Sequence, residues 1–159
     1  MILVATSATN WDVEVDGRIP CVGAMSDSNS QNLNTATYTK VTFDTANANI
    51  GSMVDLANDK IVVWRAGVYR VCAQVYYSNF AAGSLQCTVY KNGASTGMPQ
   101  SEEGSIGAGA SEYPVPQVNS FVTLAAGDYI ELYGRQNSGS TQAMKPGAPA
   151  LLNIQEILS

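Results

Sequence analysis

The sequence predicts an all-β fold, an antiparallel β-sandwich or jelly roll, on three observations. Short runs alternating apolar and polar residues recur along the 159-residue chain, turn signals rich in Gly and Asn separate them, and no segment holds a helical period over three turns. The composition agrees. Hydrophobic residues make up 45% but charged residues only 13%, about half the usual share, with Gly, Ser, Thr and Asn filling the gap. A chain of this length is expected to form one domain around a sizeable core.

Residues 11–15 set Trp11, Val13 and Val15 against Asp12 and Glu14, and Asp16-Gly17 marks a turn, so a short strand is expected there. Residues 26–37 (SDSNSQNLNTAT) are polar and small with little to bury. They read as a linker, dividing an N-terminal arm at 1–37 from a jelly-roll domain at 38–159. Residues 38–43 then turn Val41 and Phe43 to one side, and residues 61–64 form an apolar run. The long strand at 68–78 puts Tyr69, Val71, Ala73, Val75 and Tyr77 on one face and Arg70, Cys72, Gln74 and Tyr76 on the other. Leu85, Cys87 and Val89 share a face opposite Gln86, Thr88 and Tyr90, and Asn92-Gly93 supplies the two positive φ angles of a tight hairpin turn. Residues 95–114 read as a long loop rich in Gly and Ser. Residues 118–124, 129–133 and 151–158 are the last three strands, the first two joined through Gly127-Asp128.

Charge and composition exclude several function classes. The eight basic residues are scattered singly and the net charge is −5, so no basic stripe exists for a phosphate backbone, and nucleic acid is not an expected partner. The chain has no His, which removes Ser-His-Asp and Cys-His nucleophile pairs, an imidazole base and His-ligated zinc. Cys21, Cys72 and Cys87 are too widely spaced for a CxxC site and read as free, buried thiols. No stretch approaches the ~20 apolar residues of a membrane span, the N-terminal apolar run is too short for a secretory leader, and no Asn-x-Ser/Thr sequon occurs. The expected setting is a reducing cytoplasm with no membrane partner.

The motifs that could carry chemistry fail individually. Asp12 to Gly17 begins like a calcium loop, yet Gly23 falls where a bidentate Glu is needed. Glu102, Glu103 and Glu112 sit on a predicted loop without the rigid support that a glycosidase pair requires. Gly104, Gly107 and Gly109 do not fit a nucleotide-binding loop, and Trp11 and Trp64 read as buried. No catalytic, cofactor-binding or metal residue is assigned, and a non-enzymatic protein without a cofactor is expected.

The order of landmarks is more specific than any one of them: Phe43-Asp44-Thr45, Ala66-Gly67-Val68-Tyr69 opening a long strand, Lys91-Asn92-Gly93, Leu124 to Leu132 (LAAGDYIEL), and Leu151-Leu152-Asn153-Ile154. This order resembles the complement globular-head and tumour necrosis factor-like jelly-roll family, over roughly residues 38–159. In this reading Gly67 lets the chain turn tightly into a central strand, Tyr69 projects inward, and the strand after Gly127-Asp128 buries Ile130 and Leu132. The resemblance implies a homotrimer. Phage structural proteins also use this jelly roll, as head decoration or fibre knobs, and the Asn/Ser/Thr/Gly-rich surface without a collagen-like repeat resembles that group.

On that resemblance the expected role is a trimeric virion protein, assembled in the host cytoplasm, that decorates or cements a capsid through its N-terminal arm. Its partners would be a major capsid protein or a fibre or tail component. The alternative is a receptor-binding knob recognising a host surface glycan or protein. With Ile130 and Leu132 inward, Tyr129, Glu131 and Tyr133 face outward as candidate trimer contacts. Ile2, Leu3, Val4 and Trp11 are the candidate attachment residues of the arm, and Ser105, Ile106, Ser111 and Tyr113 the candidate ligand contacts of the long loop.

Overall fold

The computed structural model describes the backbone of residues 2–5 and 11–14 and, in full, residues 19–78, 82–104 and 113–158. The strands in chain order are β1 (Ile2–Ala5), β2 (Trp11–Glu14), β3 (Val22–Asp27), β4 (Asn32–Leu33), β5 (Thr39–Lys40), β6 (Thr45–Ile50), β7 (Val54–Asp55) and β8 (Lys60–Val62). They continue with β9 (Gly67–Gln74), β10 (Ser84–Lys91), β11 (Gln100–Gly104), β12 (Gln117–Leu124), β13 (Tyr129–Gln136), β14 (Gln142–Ala143) and β15 (Ala150–Ile157). One sheet runs β12-β9-β15-β3-β6; the other runs β11-β10-β13-β8-β7, with β5 also pairing along β13. Every ladder between these strands is antiparallel. β1 and β2 form a separate two-stranded antiparallel sheet, and β4 pairs with β14.

The core lies between the two large sheets and follows the expected alternation. Tyr69, Val71, Ala73, Val75 and Tyr77 are all buried, as are Leu85, Cys87, Val89, Ile130 and Leu132. Each large apolar side chain taken from water contributes about 1.5–3 kcal/mol. Tyr77 crosses the sandwich: its hydroxyl donates to the carbonyls of Gln86 (2.7 Å) and Arg135 (3.1 Å) in the opposite sheet. Gly134 makes room for that crossing, since a Cβ there would come within 2.9 Å of Leu33 Cδ1 and 3.0 Å of the Tyr77 hydroxyl. The Asn92-Gly93 turn has the expected positive φ at both residues, closed by Lys91–Ala94 hydrogen bonds in both directions.

The structure corrects the arm boundary at residue 37. β3 lies inside the five-stranded sheet, between β15 and β6, and Leu33 is wholly buried. The polar segment folds against the body because side-chain amides serve the backbone where a ladder would otherwise do so. Gln31 donates to Lys40 O (2.7 Å) and accepts from Thr42 N–H (3.1 Å). The buried Gln136 amide donates to Leu33 O (3.0 Å) and Ser140 O (2.7 Å). One apolar residue and a few amides suffice, which composition averages conceal.

Other expectations change as well. The 95–114 stretch is not one loop, because β11 pairs with β10 within it. Trp64 is 56% exposed, its indole N–H donating to Ser52 O (2.9 Å). Cys21 and Cys87 are buried and burial pushes the Cys87 thiol up to about 12, but Cys72 is only half-buried on the outer side of β9. Gly67 has no positive φ, and a Cβ would meet only Tyr69 Cε2 at 3.8 Å, so the entry to β9 does not need glycine.

Asp27 closes β3 at 2% exposure; its Oδ1 accepts the Asn29 N–H (2.9 Å) and its Oδ2 has no partner among the described residues. Burial pushes its carboxyl above the usual carboxylate range; the Asn29 N–H opposes this, and the charges of Asp44 and Asp59 reinforce it.

Two outcomes follow for stability. Leu33→Ala should cost about 2–5 kcal/mol in urea unfolding, the range of a core truncation, whereas a linker residue would cost nothing measurable. Asp27→Asn should stabilise the protein at pH 7. A raised folded-state pKa means the stability of the neutral form is lost as pH rises, so the gain from Asn should vanish in melts run below the ordinary Asp value of 3.8.

Candidate functional site

The two outer faces of the sandwich differ in chemistry, and strand alternation with register builds each of them. On the five-stranded sheet, one transverse row reads Phe121, Arg70, Gln155, Val22 and Ile50, and the next reads Asn119, Cys72, Asn153, Ala24 and Ala48. Val68 and Ile157 extend it at one end, Gln74 and Leu151 at the other. Arg70 is the one charged side chain in these rows. Its Nε donates to Asn119 Oδ1 (3.1 Å), and the described residues give it no ion pair. Phe121 is 65% exposed beside it. Shallow troughs lie along this face, one of 340 Å³ around Arg70, Cys72, Val22 and Gln155, another of 360 Å³ at the Val68–Ile157 end.

The outer face of the other sheet carries tyrosines and charge. Tyr90 and Tyr133 stack with ring centroids 3.8 Å apart at 23°, and Tyr38 tilts against Tyr90 at 6.0 Å. The Arg135 guanidinium lies 5.5 Å from the Tyr38 ring centre, and Lys60 Nζ lies 4.9 Å from that of Tyr129. Lys40 Nζ donates to Glu131 Oε1 (2.6 Å) and to Asn58 O (2.6 Å). Beneath this cover Thr88 and Glu131 are buried, and Thr88 Oγ1 and Glu131 Oε2 have no partner among the described residues.

Tyr129, Glu131 and Tyr133 share the outward side of β13. Glu131 is covered and paired with Lys40, and Tyr133 is half-buried against Tyr90. Tyr38 and Tyr90 complete the cluster and were not singled out from the sequence. The alternation of β10 already put Tyr90 outward; only the β10–β13 ladder makes it a neighbour of Tyr133.

Of the proposed arm, Ile2, Leu3 and Val4 lie on β1 and Trp11 on β2, with Leu3 opposite Val13 and Ala5 opposite Trp11; their side chains lie outside the described residues. Ser105, Ile106 and Ser111 also lie outside them. Tyr113 is exposed, with Lys145 Nζ 3.8 Å from its ring centre.

The carboxylates make no catalytic pair. Glu102 and Glu103 point to opposite sides of β11: Glu102 accepts from Gln86 Nε2 (2.9 Å), Glu103 from Val115 N–H (3.1 Å). Hydrogen bonds from Ser84 and Gln86 hold the Glu102 carboxyl below the usual range. Glu112 lies outside the described residues. At the base of the sandwich Arg65 donates to Glu156, to Ile19 O (2.7 Å) and to Cys21 Sγ (3.0 Å), tying the entry of β3 to the end of β15. Among the described residues no group of three acidic or thiol side chains could hold a metal ion.

Neither a protein-family model nor a curated protein sequence matches the chain. Solved structures do resemble it. Murine APRIL at pH 8.0 superposes with a TM-score of 0.64 at 15% identity, covering 87% of this chain and 100% of that one. The Eiger TNF of S. frugiperda gives 0.60 at 17%, covering 89% and 93%. The globular domain of a zebrafish complement 1qA protein gives 0.61 at 11%, covering 88% and 98%. At such identities the likeness establishes architecture alone: this chain folds as the jelly roll of the tumour necrosis factor-like and complement-head proteins.

Proposed function

We propose that this chain is a non-enzymatic structural protein of a virion, a trimer that decorates or cements a capsid and is anchored through its N-terminal segment. The observation that carries the reading is the division of charge between the outer faces. A sheet face of Phe, Val, Ile, Ala, Cys and amide side chains with a single arginine is suited to a covered subunit contact, because few charges must leave water and apolar area is removed from it. The opposite face, with its lysines, arginine and carboxylates, stays wet. Three copies about an axis match the threefold positions of an icosahedral shell, where identical contacts act together. The anchor shortens to residues 1–18, because β3 belongs to the sheet. The tyrosine cluster on the wet face favours a second reading, a knob that binds a host surface molecule.

Light scattering after size exclusion should report the mass of three chains, stable on dilution. Ala24→Arg on the apolar and amide face should give a folded monomer, whereas Gln100→Arg on the opposite face should leave the trimer intact. A wild-type monomer at every concentration defeats the assembly. Removing residues 1–18 should preserve the trimer and abolish co-sedimentation with shells of the parent virus that lack this protein; retained binding moves the anchor to the jelly roll.

A further inference from the structure

On the wet face, Glu102 of β11, Gln86 of β10 and Arg135 of β13 are direct cross-strand neighbours. A carboxylate, an amide and a guanidinium thus stand in one row across three strands. Tyr38 joins the same row: its hydroxyl donates to Gln86 Oε1 (2.9 Å) and its ring lies 5.5 Å from the Arg135 guanidinium. Gln86 Nε2 in turn donates to Glu102 Oε2 (2.9 Å), so each group is held by the next. Tyr90, itself stacked on Tyr133, tilts against the Tyr38 ring with centroids 6.0 Å apart. Tyr38 nevertheless stays 40% exposed and Glu102 is exposed. The Tyr38 ring and the Glu102 carboxylate are therefore open to solvent beside the half-buried Gln86 and Arg135, and their contacts with these neighbours hold them in place, which lowers the ordering cost of binding.

We infer that this row binds a neutral sugar ring of a glycan. Its charges cancel, one carboxylate against one guanidinium, so no net field selects an anion or a cation. What remains is complementary to a pyranose. The C–H face of the sugar packs on the Tyr38 ring, its hydroxyls donate to the Glu102 carboxylate, and their oxygens accept from Arg135 N–H groups. The inference supplies a ligand class for the receptor-binding reading, and its failure leaves the subunit assembly untouched.

The test is saturation-transfer NMR on the whole chain with methyl glycosides of glucose, galactose, mannose and N-acetylglucosamine, followed by a glycan array. At least one glycoside should receive saturation on the C–H protons of one ring face. Glu102→Gln, at the exposed sheet edge, should weaken that binding about tenfold, as loss of a charged hydrogen-bond partner does. Tyr38→Ala should abolish it, whereas Tyr38→Phe, which keeps the ring, should retain it; unfolding curves confirm that each variant folds. Absence of transfer to all four glycosides together with a blank array overturns the inference. So does binding that survives both Glu102→Gln and Tyr38→Ala, or binding only of peptide ligands at this face.

Discussion

Strand β15 lies between β9 and β3, so the five-stranded sheet closes only when the last strand of the chain meets one of the first, with Ala150 opposite Asp27 and Ile154 opposite Gly23. The core depends on that meeting. Met25, Leu152 and Ile154 bury their side chains from these strands, and Gly23 permits the two sheets to approach, since a Cβ there would sit 2.7 Å from Ile61 Cγ2. Glu156 locks the same junction from below, accepting the Cys21 N–H across 135 positions of sequence (3.0 Å) and pairing with Arg65. Closing so long a loop costs conformational entropy before any contact repays it, which places folding of such a topology in the slow, millisecond-to-second range.

Once the sheet is closed, the two outer faces acquire their contrast. On the five-stranded sheet the rows that β3 completes are apolar or amide apart from Arg70, with Val22 and Ala24 continuing lines that begin at Phe121 and Asn119. On the other sheet, β5 brings Lys40 beside β13, where it neutralises a carboxylate that would otherwise be buried unpaired, at a cost of several kcal/mol. One face is thereby almost free of charge and the other carries it. The same strand alternation that fills the core produces both faces.

Alternation alone identified the inward residues of β9, β10 and β13, because the period of two is a property of each strand and needs no knowledge of its neighbours. It also made the turn at Asn92-Gly93 legible, since the required positive φ is a local demand. The polar stretch at 26–37 misled for a physical reason: its order comes from Leu33, Gln31 and a distant Gln136, and only the first two lie within the stretch. Trp64 misled similarly, because its indole is satisfied by a carbonyl of a separate turn while its ring stays in water.

By itself, then, the sequence determined the fold class, the inward faces of the main strands, and the absence of histidine chemistry, since each of these rests on residue type and local spacing. The tertiary structure decided which outward residues meet. Glu102, Gln86 and Arg135 stand in one row, and Tyr38 joins Tyr90 and Tyr133, only because β11, β10 and β13 lie side by side with β5 beyond. Strand order in a sandwich is set by long-range pairing and the burial it allows, and no window of the chain short enough to read for periodicity contains that information.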